Sequence, residues 1–188
     1  MIELGVILAA LIAISASLFV ALMMIHAFRY VPFVPTENKV VEKMIEIAEL
    51  KKGEKIYDLG CGDGRILEVA MSKAPVEAIG IEISYIVISL ARLRSWWKGS
   101  SIKLIRKNFY NQDLSDADIV ICYLFPGVMK KLQKKFEKEL KPGARVISYS
   151  FPMIEWQPSK TLITKEKKPK NFLVYRYDIP DAYRSSTD

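Results

Sequence analysis

The sequence predicts an α/β fold: an open, mostly parallel, Rossmann-like sheet with a C-terminal antiparallel hairpin, preceded by one N-terminal transmembrane helix. Three observations predict it. A short apolar strand breaks into a glycine-rich turn at residues 58–64 and runs straight into a helical pattern. Apolar strands then alternate with amphipathic helical patterns as far as residue 140. Ahead of both, residues 4–25 form an apolar run of 22 residues interrupted only by Gly, Ala and Ser.

The apolar run is long enough to cross a hydrocarbon core as a helix. A cleaved signal peptide is the competing reading, but the run is preceded by Glu3 with no Lys or Arg, and it is longer than a typical signal core. A permanent anchor over residues 1–28 is therefore expected. Arg29, Lys39 and Lys43 follow the run and nothing basic precedes it, so the positive-inside rule places the rest of the chain on the cytoplasmic side of a membrane it spans once. His26, at the end of the run, is expected at the interface.

Residues 29–180 then read as one domain and 181–188 as a loose tail. Thr36 after Pro35 is a candidate N-cap for a helix whose Val40, Val41, Met44, Ile45 and Ala48 recur at three and four residues, ending near Lys52 and Gly53. Lys55, Ile56 and Tyr57 lead into the turn, and a helix runs to about Lys73. Ala78, Ile79, Gly80, Ile81 and Glu82 form a second strand, and Ser84 opens a helix carrying Ile86, Val87, Leu90, Ala91 and Leu93. Residues 102–105 and 118–123 are the third and fourth strands. A lysine-rich helix follows with Met129, Leu132, Phe136 and Leu140 on one stripe. Residues 145–151 and 171–177 read as two strands with no helical pattern between them, which calls for an antiparallel hairpin.

The turn holds the chemistry. Gly60, Gly62 and Gly64 let backbone approach a ligand that side chains would block, and the following helix presents free N–H groups. A dinucleotide fingerprint wants Gly or Ala where this chain has Arg65, and a phosphate loop would need Gly-Lys-Ser/Thr. Asp58 and Asp63 instead flank the turn with negative potential, hostile to pyrophosphate and suited to a cationic ligand. S-adenosylmethionine, with a sulfonium and an ammonium, is such a ligand. Glu82 ends the second strand about 20 residues past the turn, where nucleotide-binding sheets hold a ribose hydroxyl pair.

At these residues the chain resembles the class I S-adenosylmethionine-dependent methyltransferases. Residues Val31-Pro32-Phe33-Val34-Pro35-Thr36, the run from Asp58 to Arg65, Leu114-Ser115-Asp116-Ala117-Asp118, Glu139-Leu140-Lys141-Pro142-Gly143-Ala144-Arg145-Val146 and Trp156-Gln157-Pro158 are more particularly similar to the archaeal protein-lysine methyltransferases. They are similar too to the mitochondrial lysine methyltransferases of the ATP synthase c-subunit and the adenine nucleotide translocase. The resemblance implies a cofactor site built from Thr36, Asp58, Gly60, Gly62, Asp63, Gly64, Glu82, Asn108 and Phe109, with Asn108 against the adenine. It also implies that Tyr30, Phe33 and Thr36 fold over the cofactor. A Pro-rich linker is the other reading of that segment.

Methyl transfer to an already activated carbon needs alignment of donor and acceptor, with no metal and no nucleophilic side chain. A lysine acceptor must be neutral, which at pH 7 costs about 4.6 kcal/mol from a free pKa near 10.4. An aromatic pocket lowers that cost by desolvation. Tyr123 and Phe125 after the fourth strand are the candidate catalytic residues, with Phe109 and Tyr110 after the third as further aromatic supply. The expected partner is a protein lysine, with a membrane protein as one candidate. Where amino-methyltransferases of nucleic acids present Asp/Asn-Pro-Pro-aromatic, this chain has Cys122-Tyr123-Leu124-Phe125-Pro126, so base methylation is disfavoured while ribose or small-molecule methylation is left open. A lipid or lipid-soluble acceptor and a non-catalytic S-adenosylmethionine-binding module are the alternatives.

Composition bounds the rest. The net charge is +7, gathered in part at Lys130, Lys131, Lys134, Lys135 and Lys138 and at Lys165, Lys167, Lys168 and Lys170, and charge alone does not separate anionic lipid from nucleic acid. Two cysteines and one histidine exclude zinc ribbons and a disulfide framework, leaving Cys61 and Cys122 as expected reduced packing residues.

Overall fold

The computed structural model describes residues 2–29, 34–164 and 172–184, with side chains for 5–20, 34–164 and 172–183. The side chain of His26, residues Tyr30 and Phe33, and Lys165, Lys167, Lys168 and Lys170 lie outside the described residues. The chain divides into two compact units, Met1–Val34 and Pro35–Asp188.

Among the described residues the first unit holds one helix, α1 (Ile2–Arg29). The expected single-pass anchor needs correction here, and with it the membrane location and the cytoplasmic orientation. Among the described residues no helix is long and apolar enough to cross a membrane.

The second unit runs α2 (Asn38–Ala48), β1 (Lys55–Leu59), α3 (Arg65–Lys73), β2 (Glu77–Glu82), α4 (Tyr85–Trp97), β3 (Lys103–Arg106), a 3₁₀ turn (Phe109–Asn111), β4 (Ile119–Cys122), α5 (Pro126–Glu139), β5 (Arg145–Tyr149), β6 (Lys160–Ile163), β7 (Leu173–Asp178) and α6 (Asp181–Arg184). The strands form one sheet in the order β3-β2-β1-β4-β5-β7-β6. The first five strands are parallel neighbours, and β7 runs antiparallel to both β5 and β6. Chain order reverses between β1 and β4, which opens a crevice at their C-terminal ends, the place where open α/β sheets bind ligands.

Alternate residues of the central strands feed two apolar layers. Tyr57, Leu59, Ile79, Ile81, Val120 and Val146 face one, with Leu132, Phe136 and Trp156; Ile56, Ala78, Ile119, Ile121 and Ile147 face the other, with Met44 and Leu67. Burial on both faces explains why these strands read as continuous apolar runs. Each large side chain so buried contributes about 1.5–3 kcal/mol.

The expected hairpin is a three-strand arrangement. β5 and β7 do pair antiparallel, but β6 lies between them in sequence and occupies the sheet edge. Its Lys160, Thr161 and Ile163 are exposed, so it carries little apolar signal. Where a loose tail is expected, α6 seats a buried Ala182 on the core.

α2 also departs from expectation. Its N-cap is Glu37, with no side-chain capping bond there, while Thr36 is buried just before it. The helix stops at Ala48 because Glu49 takes a left-handed φ of 50°. Its last carbonyls are taken by buried Arg145, whose Nη1 donates to Ala48 O at 2.6 Å and Glu49 O at 2.7 Å and whose Nη2 pairs with Glu54. Arg176 adds a bond to Ile47 O at 3.1 Å and an ion pair with Glu49 at 2.7 Å. Cations at a helix C-terminus satisfy its orphan carbonyls and its dipole together.

Candidate cofactor and acceptor site

Asp58 sits in β1 between Gly80 of β2 and Ile121 of β4, in the middle of the sheet. It is buried, and among the described residues its Oδ2 has no hydrogen-bond partner. Burial, then Glu82, then Asp63 push its carboxyl up to about 8.

One residue past β1 the chain turns. Gly60, Gly62 and Gly64 take φ values of 79°, 58° and 79°, a region open to glycine without strain. Gly60 N and Cys61 N both donate to Ile81 O, at 2.8 and 3.1 Å, which stitches the turn to β2. Cys61 packs its thiol on the Gly80 backbone so closely that a Cβ there would lie 2.7 Å from Sγ. Gly64 is the N-cap of α3, so the free N–H groups of that helix begin at the turn.

Glu82 points back at this turn. Its Oε2 accepts from Gly62 N at 3.4 Å and its Oε1 from Ser84 N at 2.8 Å. Asp63 differs from the other two acids. Burial would raise its pKa, but Arg65 at 2.8 Å and Arg94 at 3.3 Å outweigh that and hold it below the ordinary carboxylate range. Arg65 also donates from Nη1 to Thr36 O at 2.9 Å, strapping the segment before α2 onto the turn.

Lys107 N donates to Glu82 O at 3.1 Å, which brings the 3₁₀ turn beside the end of β2. There Asn108 uses Oδ1 to accept from Tyr110 N at 3.0 Å, and the Phe109 and Tyr110 rings lie 4.7 Å apart. Tyr123 follows the Leu59–Cys122 pair of β1 and β4. Its ring lies 4.7 Å from Tyr149 and is stacked at 6.4 Å on Phe151, and the exposed Phe125 lies 6.1 Å from Phe151. The C-terminal ends of β4 and β5 therefore carry one aromatic cluster.

Thr36, Asp58, the three glycines, Asp63 and Glu82 thus gather around one turn, with Asn108 and Phe109 next to Glu82 and with Tyr123 and Phe125 beyond β4. Arg65, Arg94, Tyr149 and Phe151 were not singled out by the sequence. Arg65 stands there only as a departure from the dinucleotide pattern, and Phe151 only as the end of a strand. The donor set fits a cationic cofactor: a buried carboxylate with a vacant acceptor oxygen, a second acid at the strand end, and backbone bare of side chains between them.

The chain is similar to known proteins. The model of the ANTKMT methyltransferase domain matches residues 58–160. A protein-lysine N-methyltransferase of Saccharolobus islandicus (strain REY15A) is 40% identical, over 80% of this chain and 94% of the relative. The adenine nucleotide translocase lysine N-methyltransferase of Mus musculus is 37% identical over 68% of this chain, and the match spans only 56% of that longer relative. A solved structure described as an RNA methyltransferase from Salinibacter ruber, in complex with S-adenosyl-L-homocysteine, superposes with a TM-score of 0.73 at 33% identity, covering 79% of this chain and 95% of that one. With its glycine turn and acids inside the matched region, the chain belongs to the ANTKMT methyltransferase family and is an S-adenosylmethionine-dependent methyltransferase.

Proposed function

We propose that this chain methylates the side-chain amine of lysine in a protein. The observation that carries the reading is the aromatic cluster of Tyr123, Phe125, Tyr149 and Phe151 at the ends of β4 and β5, next to the strand that holds Asp58. The names of the archaeal and mouse relatives support the same acceptor.

When bound, S-adenosylmethionine supplies a methyl group activated by its sulfonium. Asp58 and Glu82 hold the cofactor, Asp58 by its vacant oxygen and Glu82 at the ribose. The backbone of Gly60, Gly62 and Gly64 lets the cofactor lie close, while Asn108 and Phe109 take the adenine side. Asp63 acts through Arg65, which positions Thr36 over the turn. Tyr123 and Phe125 receive the lysine, and their rings exclude water so that the neutral amine is favoured over the ammonium.

The solved structure described as an RNA methyltransferase favours a second reading, RNA as the acceptor. One experiment separates the two. Full-length protein is incubated with methyl-labelled S-adenosylmethionine and a cell extract, and label is followed in protein, RNA and organic fractions. Methyl-lysine in acid hydrolysates of the protein fraction, lost with Asp58→Ala, is the expected result. Label confined to RNA or to the organic fraction would overturn the lysine acceptor.

A further inference from the structure

α4 buries Val87, Ile88, Ala91 and Ser95 against the sheet, yet its outer side is apolar as well. Ile86, Leu90, Leu93 and Trp97 are all exposed, Leu90 by 54% and Trp97 by 73%. Their spacing of four, three and four residues is that of a heptad seam, which presents one narrow stripe to another helix. Tyr85 and Trp96, the latter 75% exposed, extend the patch along the neighbouring turn face. Together these side chains expose on the order of 800 Å², about one partner's share of a standard interface and more than a monomer ordinarily leaves bare.

Beside the seam lies a hollow of about 340 Å³ between α4 and the edge strand β3, lined by Arg92, Ser95, Trp96, Ser100, Ile102 and Leu104. A projecting indole and a hollow edged by a guanidinium thus share one side of the molecule. A two-fold pairing needs such self-complementarity, because each copy presents the same patch. Charge permits it too. Of the cations around the seam, Arg94 and Lys98 are both paired with Glu68, at 2.9 and 2.8 Å, Arg92 donates to Leu104 O at 3.5 Å and Arg106 lies 5.6 Å from the Tyr85 ring centre.

We propose that the α4 face is the interface of a homodimer, packed α4 against α4 about a two-fold axis with Trp97 of each copy toward the hollow of the other. The test is sedimentation velocity on the full chain at tens of micromolar. Wild type should run at twice the 21.4 kDa chain mass. The double substitution Leu90→Glu and Leu93→Glu should halve the mass, Trp97→Ala should raise the dimer dissociation constant at least tenfold, and Lys130→Glu on α5 should change nothing. α1 is identical in all four proteins, so a double variant that keeps the wild-type mass would overturn the proposal. So would a wild type that stays monomeric at this concentration, including one that cosediments with anionic vesicles through the same leucines.

Discussion

At the N-terminal ends of β1, β4 and β5, three acids each meet a cation: Asp116 meets Lys55 at 2.7 Å, Asp118 meets Lys141 at 2.6 Å, and Glu54 meets Arg145. At the C-terminal ends of the same strands Asp58 is more deeply buried than any of them, yet keeps an oxygen without a partner. Both ends put carboxylates on strand termini of one sheet. The paired end returns its electrostatic energy to the fold. The unpaired end holds a buried acid at a cost that protonation or a ligand of opposite charge removes, which is why it is the place proposed for the cofactor.

The largest effect should come from breaking the paired end. Arg145→Ala strands Glu54 and frees the carbonyls of Ala48 and Glu49, and losing one partner of a buried pair costs about 3–5 kcal/mol. Urea denaturation should register that loss, while cofactor affinity of the folded variant stays within about twofold, since Arg145 lies at the far end of its strand. A loss below 1 kcal/mol would mean that α2 is not pinned by this residue.

Asp58→Ala should do the reverse, weakening S-adenosylmethionine by about 100-fold, near 2.7 kcal/mol, with no loss of cofactor-free stability at neutral pH. The sign of the stability term is specific. Asp58 titrates at about 8 in the folded, ligand-free protein and near 3.9 in an unfolded chain. Between those values the folded state binds the extra proton, so the stability contributed by this group falls as pH rises from about 4 to 8. Asp58→Asn should flatten that slope and leave the cofactor-free protein more stable than wild type at pH 8.5. Thermal melts across the pH range check it.

Ligand binding carries the same linkage with opposite sign. A cation favours the carboxylate, so cofactor binding to wild type should release a proton and tighten from pH 6 to 7.5, by at most about tenfold per unit. Calorimetry in two buffers of different ionisation enthalpy reads the proton directly. Equal heats in both would show that Asp58 is already ionised before binding.

The unpaired end was largely legible in the sequence because its parts are local. Gly60 to Gly64 declare a turn, and the distance from the turn to Glu82 is one βα unit. What the chain could not disclose is which acid remains free, since Asp63 finds Arg94 from a helix 31 residues on. The paired end was hardly legible at all. Arg145 reaches Ala48 across 97 positions and Arg176 reaches Ile47 across 129, and no periodicity records such partners. β6 escaped for another reason: an exposed edge strand has no apolar alternation to announce it. In the first unit, apolar content spoke for a helix, and α1 is one, but among the described residues no helix is long and apolar enough to cross a membrane.

The smallest effect separates pairing from burial within the paired end itself. Lys141 stands at the rim, 42% exposed, with Nζ at 2.6 Å from Asp118 and 3.1 Å from Asp116 O. Water screens such a pair and replaces the lost bonds, so Lys141→Ala should cost about 0.2–1 kcal/mol. Asp118 keeps its bond from Lys55 N at 2.8 Å, which limits the damage further. The contrast with Arg145 is then a contrast of solvent access between two ion pairs on adjacent strands. If the two alanine variants lost equal stability in urea, burial would not be what distinguishes them, and the excess cost assigned to the bare carboxylate of Asp58 would lose its physical basis.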